Sequence, residues 1–229
     1  MPKRKFAIFD IDGTIFRSSL LIESVEALIQ AKVLPENIRR IYSHAHRNWL
    51  DRKEGYDKYI GAVIKASDSN MKGIPRRQYL RVIKKMVALH KNRVYRYTRD
   101  LIRELKNKNY YLLAVSHSPK YIADEFGKKL GFDKVYGRLF EVDAHDKFTG
   151  KFMHLDLISD KAKILKRAIE KENLTLQGSI GVGDSEGDIP FLKLVDQPIC
   201  FNPNSKLYRE AKRRSWKVVV ERKDMIYKI

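Results

Sequence analysis

The sequence predicts an α/β fold, a doubly wound parallel sheet into which a block of helices is inserted. Three observations carry this. Short, continuous apolar runs recur, as parallel strands show when both faces are buried. Segments of helical periodicity separate most of those runs, so consecutive strands need crossovers and lie parallel. Between the first run and the second, residues 17–91 read as helix with no convincing strand among them. At 229 residues the chain can hold one large domain or a core with one substantial insertion.

The first strand is Phe6-Ala7-Ile8-Phe9, halted by Asp10-Ile11-Asp12-Gly13-Thr14. Four amphipathic stripes follow: Leu21, Val25, Leu28 and Ile29; Ile38, Ile41, Ala45 and Trp49; Tyr56, Tyr59, Ile60 and Val63; and, after Pro75, Tyr79, Val82, Ile83, Met86 and Leu89. Their spacing predicts a small helical bundle. A helix from about Arg93 to Lys106 leads into the strand at 110–115. Pro119 suits a first helical turn, and Gly131 closes that helix. Short strands are expected at 134–136 and 139–142, with a turn or hairpin at 147–151. A helix from Asp160 to Lys171 precedes a strand at 179–182, a helix at 189–195 and a strand at 198–201. Ser205 is expected to cap a helix through Arg213, and 216–220 is the last expected strand.

Composition narrows the class. With 43% hydrophobic, 10% aromatic and 33% charged residues, the chain is neither disordered nor collagen-like nor a disulfide scaffold. Cys200 is the only cysteine, which suits a reducing compartment. No run approaches the ~20 apolar residues of a membrane span. Met1-Pro2-Lys3-Arg4-Lys5 is basic, but the apolar run after it breaks at Asp10 and Asp12, unlike a secretory signal. A soluble, cytoplasmic protein is expected.

Doubly wound sheets bind ligands beyond the carboxyl ends of their strands. Asp10-Ile11-Asp12-Gly13-Thr14, Ser116-His117-Ser118 and Gly183-Asp184-Ser185-Glu186-Gly187-Asp188 all fall there, and Lys161 opens a helix nearby. If these loops converge, several carboxylates meet one hydroxyl and one ammonium. Clustered carboxylates repel unless a cation neutralises them, so a divalent metal is the economical inference. Ser116 and Lys161 would face an anionic ligand, with backbone N–H groups around Ser116-His117 as further donors.

On these motifs the chain resembles the haloacid dehalogenase (HAD) superfamily, in its phosphoserine phosphatase-like branch. Asp10-x-Asp12-Gly13-Thr14 matches the first motif, Ser116 the second, Lys161 the third, and Gly183-Asp184-Ser185-Glu186-Gly187-Asp188 the fourth. The resemblance implies a Rossmann-like core at 1–16 and 95–229 and a helical cap at 17–94. It implies Mg²⁺-dependent hydrolysis of a small phosphomonoester through an aspartyl-phosphate on Asp10, with Asp12 as general acid and base. The metal would be held by Asp10, the Asp12 carbonyl and Asp184, with Asp188, Thr14 and Gly13 in support. Ser116, His117 and Lys161 would bind substrate, and the cap would close as a lid.

The family's phosphoserine phosphatases place a Glu soon after the first motif. Here Arg17-Ser18-Ser19-Leu20-Leu21 stands there and Glu23 follows a helical turn later, which counts against phosphoserine. The chain carries 47 Lys+Arg against 28 Asp+Glu, a formal +19. Residues 17–94 hold 17 basic and seven acidic groups. Such a field attracts anions, nucleic-acid ends among them. Basic residues spread around their helices, Arg76 and Arg77 included, read instead as solvated surface. Two rivals share the motifs: a phosphotransferase using the same intermediate, and a basic protein that binds nucleic acid or trims its phosphorylated ends. His44 and His46 point apart on a helix, Trp49 reads as core, and Cys200 as an unreactive thiol.

Overall fold

Register along parallel strands decides where the polar loops meet. The computed structural model describes residues 3–229, so Met1 and Pro2 of the basic N-terminal stretch lie outside the described residues. After β1 (Arg4–Asp10) come α1 (Leu20–Gln30), α2 (Arg39–Leu50), α3 (Tyr56–Ser69), α4 (Arg76–His90) and α5 (Arg96–Asn107). Then follow β2 (Tyr111–Pro119), α6 (Lys120–Leu130), β3 (Lys134–Val142), β4 (Phe148–Met153), α7 (Leu155–Ile158) and α8 (Lys161–Lys171). The chain continues through β5 (Leu174–Gly183), α9 (Ile189–Leu192), β6 (Gln197–Phe201), α10 (Ser205–Arg214), β7 (Lys217–Arg222) and β8 (Met225–Lys228). The sheet runs β4-β3-β2-β1-β5-β6-β7-β8, with β3 to β7 parallel and the edge strands β4 and β8 antiparallel to their neighbours.

β1 is apolar on both faces because both are covered. Ala7 and Phe9 join a core with side chains of α1, α4, α5 and α6, whereas Phe6 and Ile8 pack with those of α8 and α10. Successive strand residues point to opposite faces, so one strand anchors two cores. All four buried side chains are fully excluded from water, and burial of each of the larger ones stabilises by about 1.5–3 kcal/mol.

Several elements differ from the sequence reading. β3 is one strand where two were expected, because Gly137 marks a close approach to the chain and not a break: a Cβ there would lie 2.8 Å from the Lys120 Cα. The cap of α10 is Asn204, whose side chain accepts from the Leu207 N–H at 2.9 Å, and Ser205 is the first helical residue. α9 ends at Leu192, and the 216–220 strand is extended by a hairpin to β8. Gly131 closes α6 with φ +77° as expected.

The helices α1–α4 all lie between β1 and α5, and two seams join them to the sheet. At one, the Arg17 N–H donates to the Arg93 carbonyl and the Tyr95 N–H to that of Ile15, both at 2.9 Å. At the other, the Gly73 N–H donates to Phe148 and the Arg76 N–H to Asp146. The Arg76 guanidinium also pairs with Asp146 at 2.7 Å, so Arg76 is not the freely solvated charge that the sequence suggested. No helix among the described residues is long and apolar enough to cross a membrane.

Candidate active site

β1 lies between β2 and β5, with Asp10 opposite Val115 and Phe9 opposite Val182. The next residues of all three strands therefore reach the same sheet edge. α8 begins there too: Asp160 accepts from the Ala162 N–H at 2.8 Å and sets Lys161 at the first helical position. The four predicted loops do converge.

Lys161 is buried, and its Nζ lies 2.5 Å from Asp10 Oδ1 and 2.5 Å from Asp188 Oδ1. Asp10, Asp184 and Asp188 offer oxygens all within 4.8 Å of one another. Burial pushes the Asp10 carboxyl up to about 7; Lys161 opposes this, and Asp188 and Asp12 add to it. Asp184 is raised well above its ordinary value by burial and by the charges of Asp10 and Asp188. Burial disfavours the Lys161 ammonium, but Asp10 and Asp188 more than offset this and hold it above the ordinary lysine value.

The oxygens divide by task. Asp188 Oδ1 takes Lys161, and its Oδ2 accepts the N–H groups of Asp184 at 2.9 Å and Ser185 at 3.1 Å. Thr14 Oγ1 donates to Asp184 Oδ1 at 3.3 Å. Asp10 Oδ2 and Asp184 Oδ2 are then the oxygens left to receive a cation. Hard carboxylate donors in a dry cluster with raised pKa values fit a divalent cation such as Mg²⁺. Gly13 is required beside them: its φ is +83°, and a Cβ would come 2.3 Å from Asp184 Oδ2.

Asp12 is held apart from that cluster. Its Oδ1 accepts from the Leu20 N–H at 2.5 Å, and its Oδ2 from Ser116 Oγ at 2.7 Å and Ser118 Oγ at 2.8 Å. Burial raises its pKa against these three bonds. Ser116, expected to face an anion, donates to Asp12 and accepts from the Ser118 N–H at 2.8 Å. His117 is exposed at the mouth of the site; the surrounding protein and then Lys161 push its imidazole down to about 4. Arg138 reaches across from β3, donating to the His117 carbonyl at 2.6 Å and pairing with Asp68 of α3 at 2.8 Å.

Sequence reasoning missed four contributors. Ser118 had a signal, since Ser-x-Ser at a strand end puts two hydroxyls on one face. Thr98, which donates to the Thr14 carbonyl at 3.0 Å, and Arg138 had none, because only the fold brings them near. Tyr56 was assigned to a core stripe, yet its phenol faces the Ser19 hydroxyl within electrostatic reach of Asp12 and Asp184. Elsewhere, Glu23 pairs with Arg93 at 2.9 Å and His90 at 3.5 Å. Burial pushes the Cys200 thiol up to about 12, consistent with an unreactive residue.

A mostly parallel sheet flanked by helices, with this loop constellation at the carboxyl ends of its strands, defines a Rossmann-like α/β enzyme. Residues 7–193 match the haloacid dehalogenase-like hydrolase family, and the chain belongs to it. It is 24% identical over 226 residues to a phosphoserine phosphatase of Methanocaldococcus jannaschii, covering 97% of this chain and 95% of that protein. It is 22% identical over 206 residues to a phosphoserine phosphatase of Archaeoglobus fulgidus, covering 90% of this chain but only 54% of the relative. The chain thus spans about half the length of that second relative. In fold it is similar to a Bordetella pertussis Tohama I protein of unknown function, with TM-score 0.74, 16% identity, and coverage of 94% of this chain and 98% of that one.

Proposed function

We propose that the chain hydrolyses a small phosphate monoester through an aspartyl-phosphate on Asp10. The observation that carries this reading is the opposed placement of the two carboxylates of the first loop. Asp10 is gripped by Lys161 inside the acidic cluster, while Asp12 is turned toward Leu20, Ser116 and Ser118. One can then attack phosphorus while the other serves the oxygen that leaves in line. Asp12, with its raised pKa, would protonate the leaving alcohol and later take a proton from the water that opens the acyl phosphate.

Mg²⁺ would be held by Asp10 Oδ2, Asp184 Oδ2 and the Asp12 carbonyl. When bound it supplies charge neutralisation and a template for the phosphoryl oxygens. Lys161 would bind a phosphoryl oxygen, and its charge favours the ionised form of Asp10 against the effect of burial. Asp188 positions Lys161 and the Asp184 loop. Ser116, with backbone N–H groups near His117, would donate to the phosphoryl group by exchanging its bond to Asp12. Thr14 and Gly13 hold the loop that carries Asp10 against Asp184.

Residues 17–94 would form a cap over a core of 1–16 and 95–229, excluding water and reading the leaving group. Glu23 is engaged by Arg93 and His90, which weighs against its receiving a substrate amino group. Reducing, cytoplasmic conditions suit the single buried cysteine. The test is phosphate release from a panel of esters, phosphoserine, sugar phosphates, nucleotides and phosphorylated oligonucleotides included. Wild type and Asp10→Asn are assayed with and without Mg²⁺. Metal-dependent release lost in Asp10→Asn is expected; release that survives the substitution overturns the assignment.

A further inference from the structure

Four rings of the inserted helices gather, and one of them, Tyr56, lies within electrostatic reach of Asp12. His46 and Tyr59 stack at 4.7 Å, Trp49 and Tyr59 at 5.4 Å with planes 16° apart, and Trp49 meets Tyr56 edge-on at 5.5 Å. Tyr59 is 5% exposed and forms the floor of this group, whereas Tyr56 is 43% exposed and Trp49 is half-buried. Burial within the helical bundle accounts for Tyr59. It does not account for Tyr56, a large ring left in contact with water on the side of the catalytic edge.

The placement of Tyr56 is specific. The residue after its neighbour Ser19 is Leu20, whose N–H holds the Asp12 carboxylate at 2.5 Å. Tyr56, with Trp49 against it, therefore forms a wall of rings beside the turn that carries Asp12, the group assigned to protonate the leaving oxygen. Resting on the phosphatase reading above, we propose that this wall selects phosphate monoesters whose leaving alcohol carries a flat aromatic ring a few bonds from the ester oxygen. That ring would pack against Trp49 and Tyr56. Planar rings gain face and edge contacts with such a wall beyond the area they bury, whereas a saturated ring of the same bulk gains the area alone.

The chemistry also sets a fair test. Aryl phosphates leave more readily than alkyl ones, which would mimic selection, so the ring must sit away from the ester oxygen. 2-Phenylethyl phosphate and 2-cyclohexylethyl phosphate have alcohols of similar acidity and similar bulk. Wild type is expected to favour the phenyl ester at least fivefold in kcat/KM. Trp49→Leu and Tyr56→Leu are expected to bring the ratio to within twofold of unity, and Trp49→Phe to retain most of it. If one leucine variant fails to fold, the other carries the comparison.

Binding of the two corresponding non-hydrolysable phosphonates, followed by intrinsic tryptophan fluorescence, supplies a readout independent of turnover. Equal kcat/KM for the two esters in wild type overturns the inference while leaving the phosphatase reading intact. If neither ester is hydrolysed and the panel above also fails, the phosphatase reading falls. The phosphonates then decide the ring selection alone, tighter phenyl binding supporting it and equal or absent binding overturning it.

Discussion

Replacing Lys161 by Met tests the electrostatic heart of the site. The change keeps most of the apolar stem and removes the ammonium that faces both Asp10 and Asp188. At 2.5 Å each contact has a gross attraction on the order of 6 kcal/mol at an effective dielectric of about 20. Dehydration of the three ions offsets most of that, and removing one partner of a buried pair costs about 3–5 kcal/mol. The loss must also depend on pH. With Lys161 present the Asp10 pKa already stands at about 7, above its ordinary value. A carboxyl raised on folding contributes stability that is full below its unfolded pKa and lost as pH rises through its folded pKa. Without the ammonium the Asp10 carboxyl rises further, so the variant suffers most at high pH and least near pH 5. Denaturant unfolding with EDTA present, at pH 8 and pH 5, reads both effects. A loss below about 1 kcal/mol at pH 8, or an equal loss at both pH values, would refute the reasoning.

Further expectations concern neighbouring groups. Asp12→Asn should lower kcat about 10²–10⁴-fold on esters with poor leaving groups and much less on esters with good ones; equal losses on both would deny it the acid role. Asp184→Asn should raise the Mg²⁺ concentration for half-maximal activity at least tenfold, because it removes a donor oxygen, with Asp188→Asn acting on kcat as well through Lys161. His117, pushed down to about 4, should remain neutral in an NMR titration from pH 7 to pH 5, and a midpoint near 6.5 would contradict the influence of the surrounding protein and Lys161. Because its folded pKa lies below the unfolded one, its effect on stability is absent above about pH 6.5 and becomes a loss as pH falls toward 4.

The candidate site was legible because its signal is local. Each apolar run that stops at Asp, Ser or Gly marks a strand end, and parallel register carries those ends to one edge. Asp10, Asp12, Ser116, Asp184 and Asp188 could be named on that ground, and Lys161 from the helix it opens and the motif it resembles. What stayed hidden depends on partners remote in sequence. Trp49 and Tyr56 fit helical stripes as core residues, and nothing local says that the tip of the α2–α3 hairpin turns one edge of that stripe toward Asp12. Arg138 follows a glycine in what reads as a broken strand, so neither its ion pair with Asp68 nor its bond to the His117 carbonyl could be foreseen. The engagement of Ser116 with Asp12 was equally invisible, since a hydroxyl at a strand end can face either an anion or a neighbouring carboxylate.

The two seams bear on how the inserted helices can move. A whole-block lid would need to pivot on the Ile15–Arg17 and Arg93–Tyr95 connectors alone. Yet the α3–α4 link is also tied to the β3–β4 hairpin through Gly73, Ile74 and Arg76, and the end of α3 to β3 through Asp68 and Arg138. The α2–α3 tip, residues 51–55, is bonded among the described residues only within its own hairpin, as by Lys53 to Asp51 and Asn48 to Glu54. Closure is therefore expected to bend the tip that bears Trp49 and Tyr56 while α4 stays against the core. Arg76→Glu separates this from a whole-block swing. Reversing that charge breaks the Asp146 pair and should lower the unfolding midpoint, whereas Arg77→Glu, at an exposed site, should not. If the seam is static, Arg76→Glu leaves KM for a small ester unchanged at temperatures well below unfolding. A large change in KM in that folded range would mean that the hairpin seam opens during each turnover.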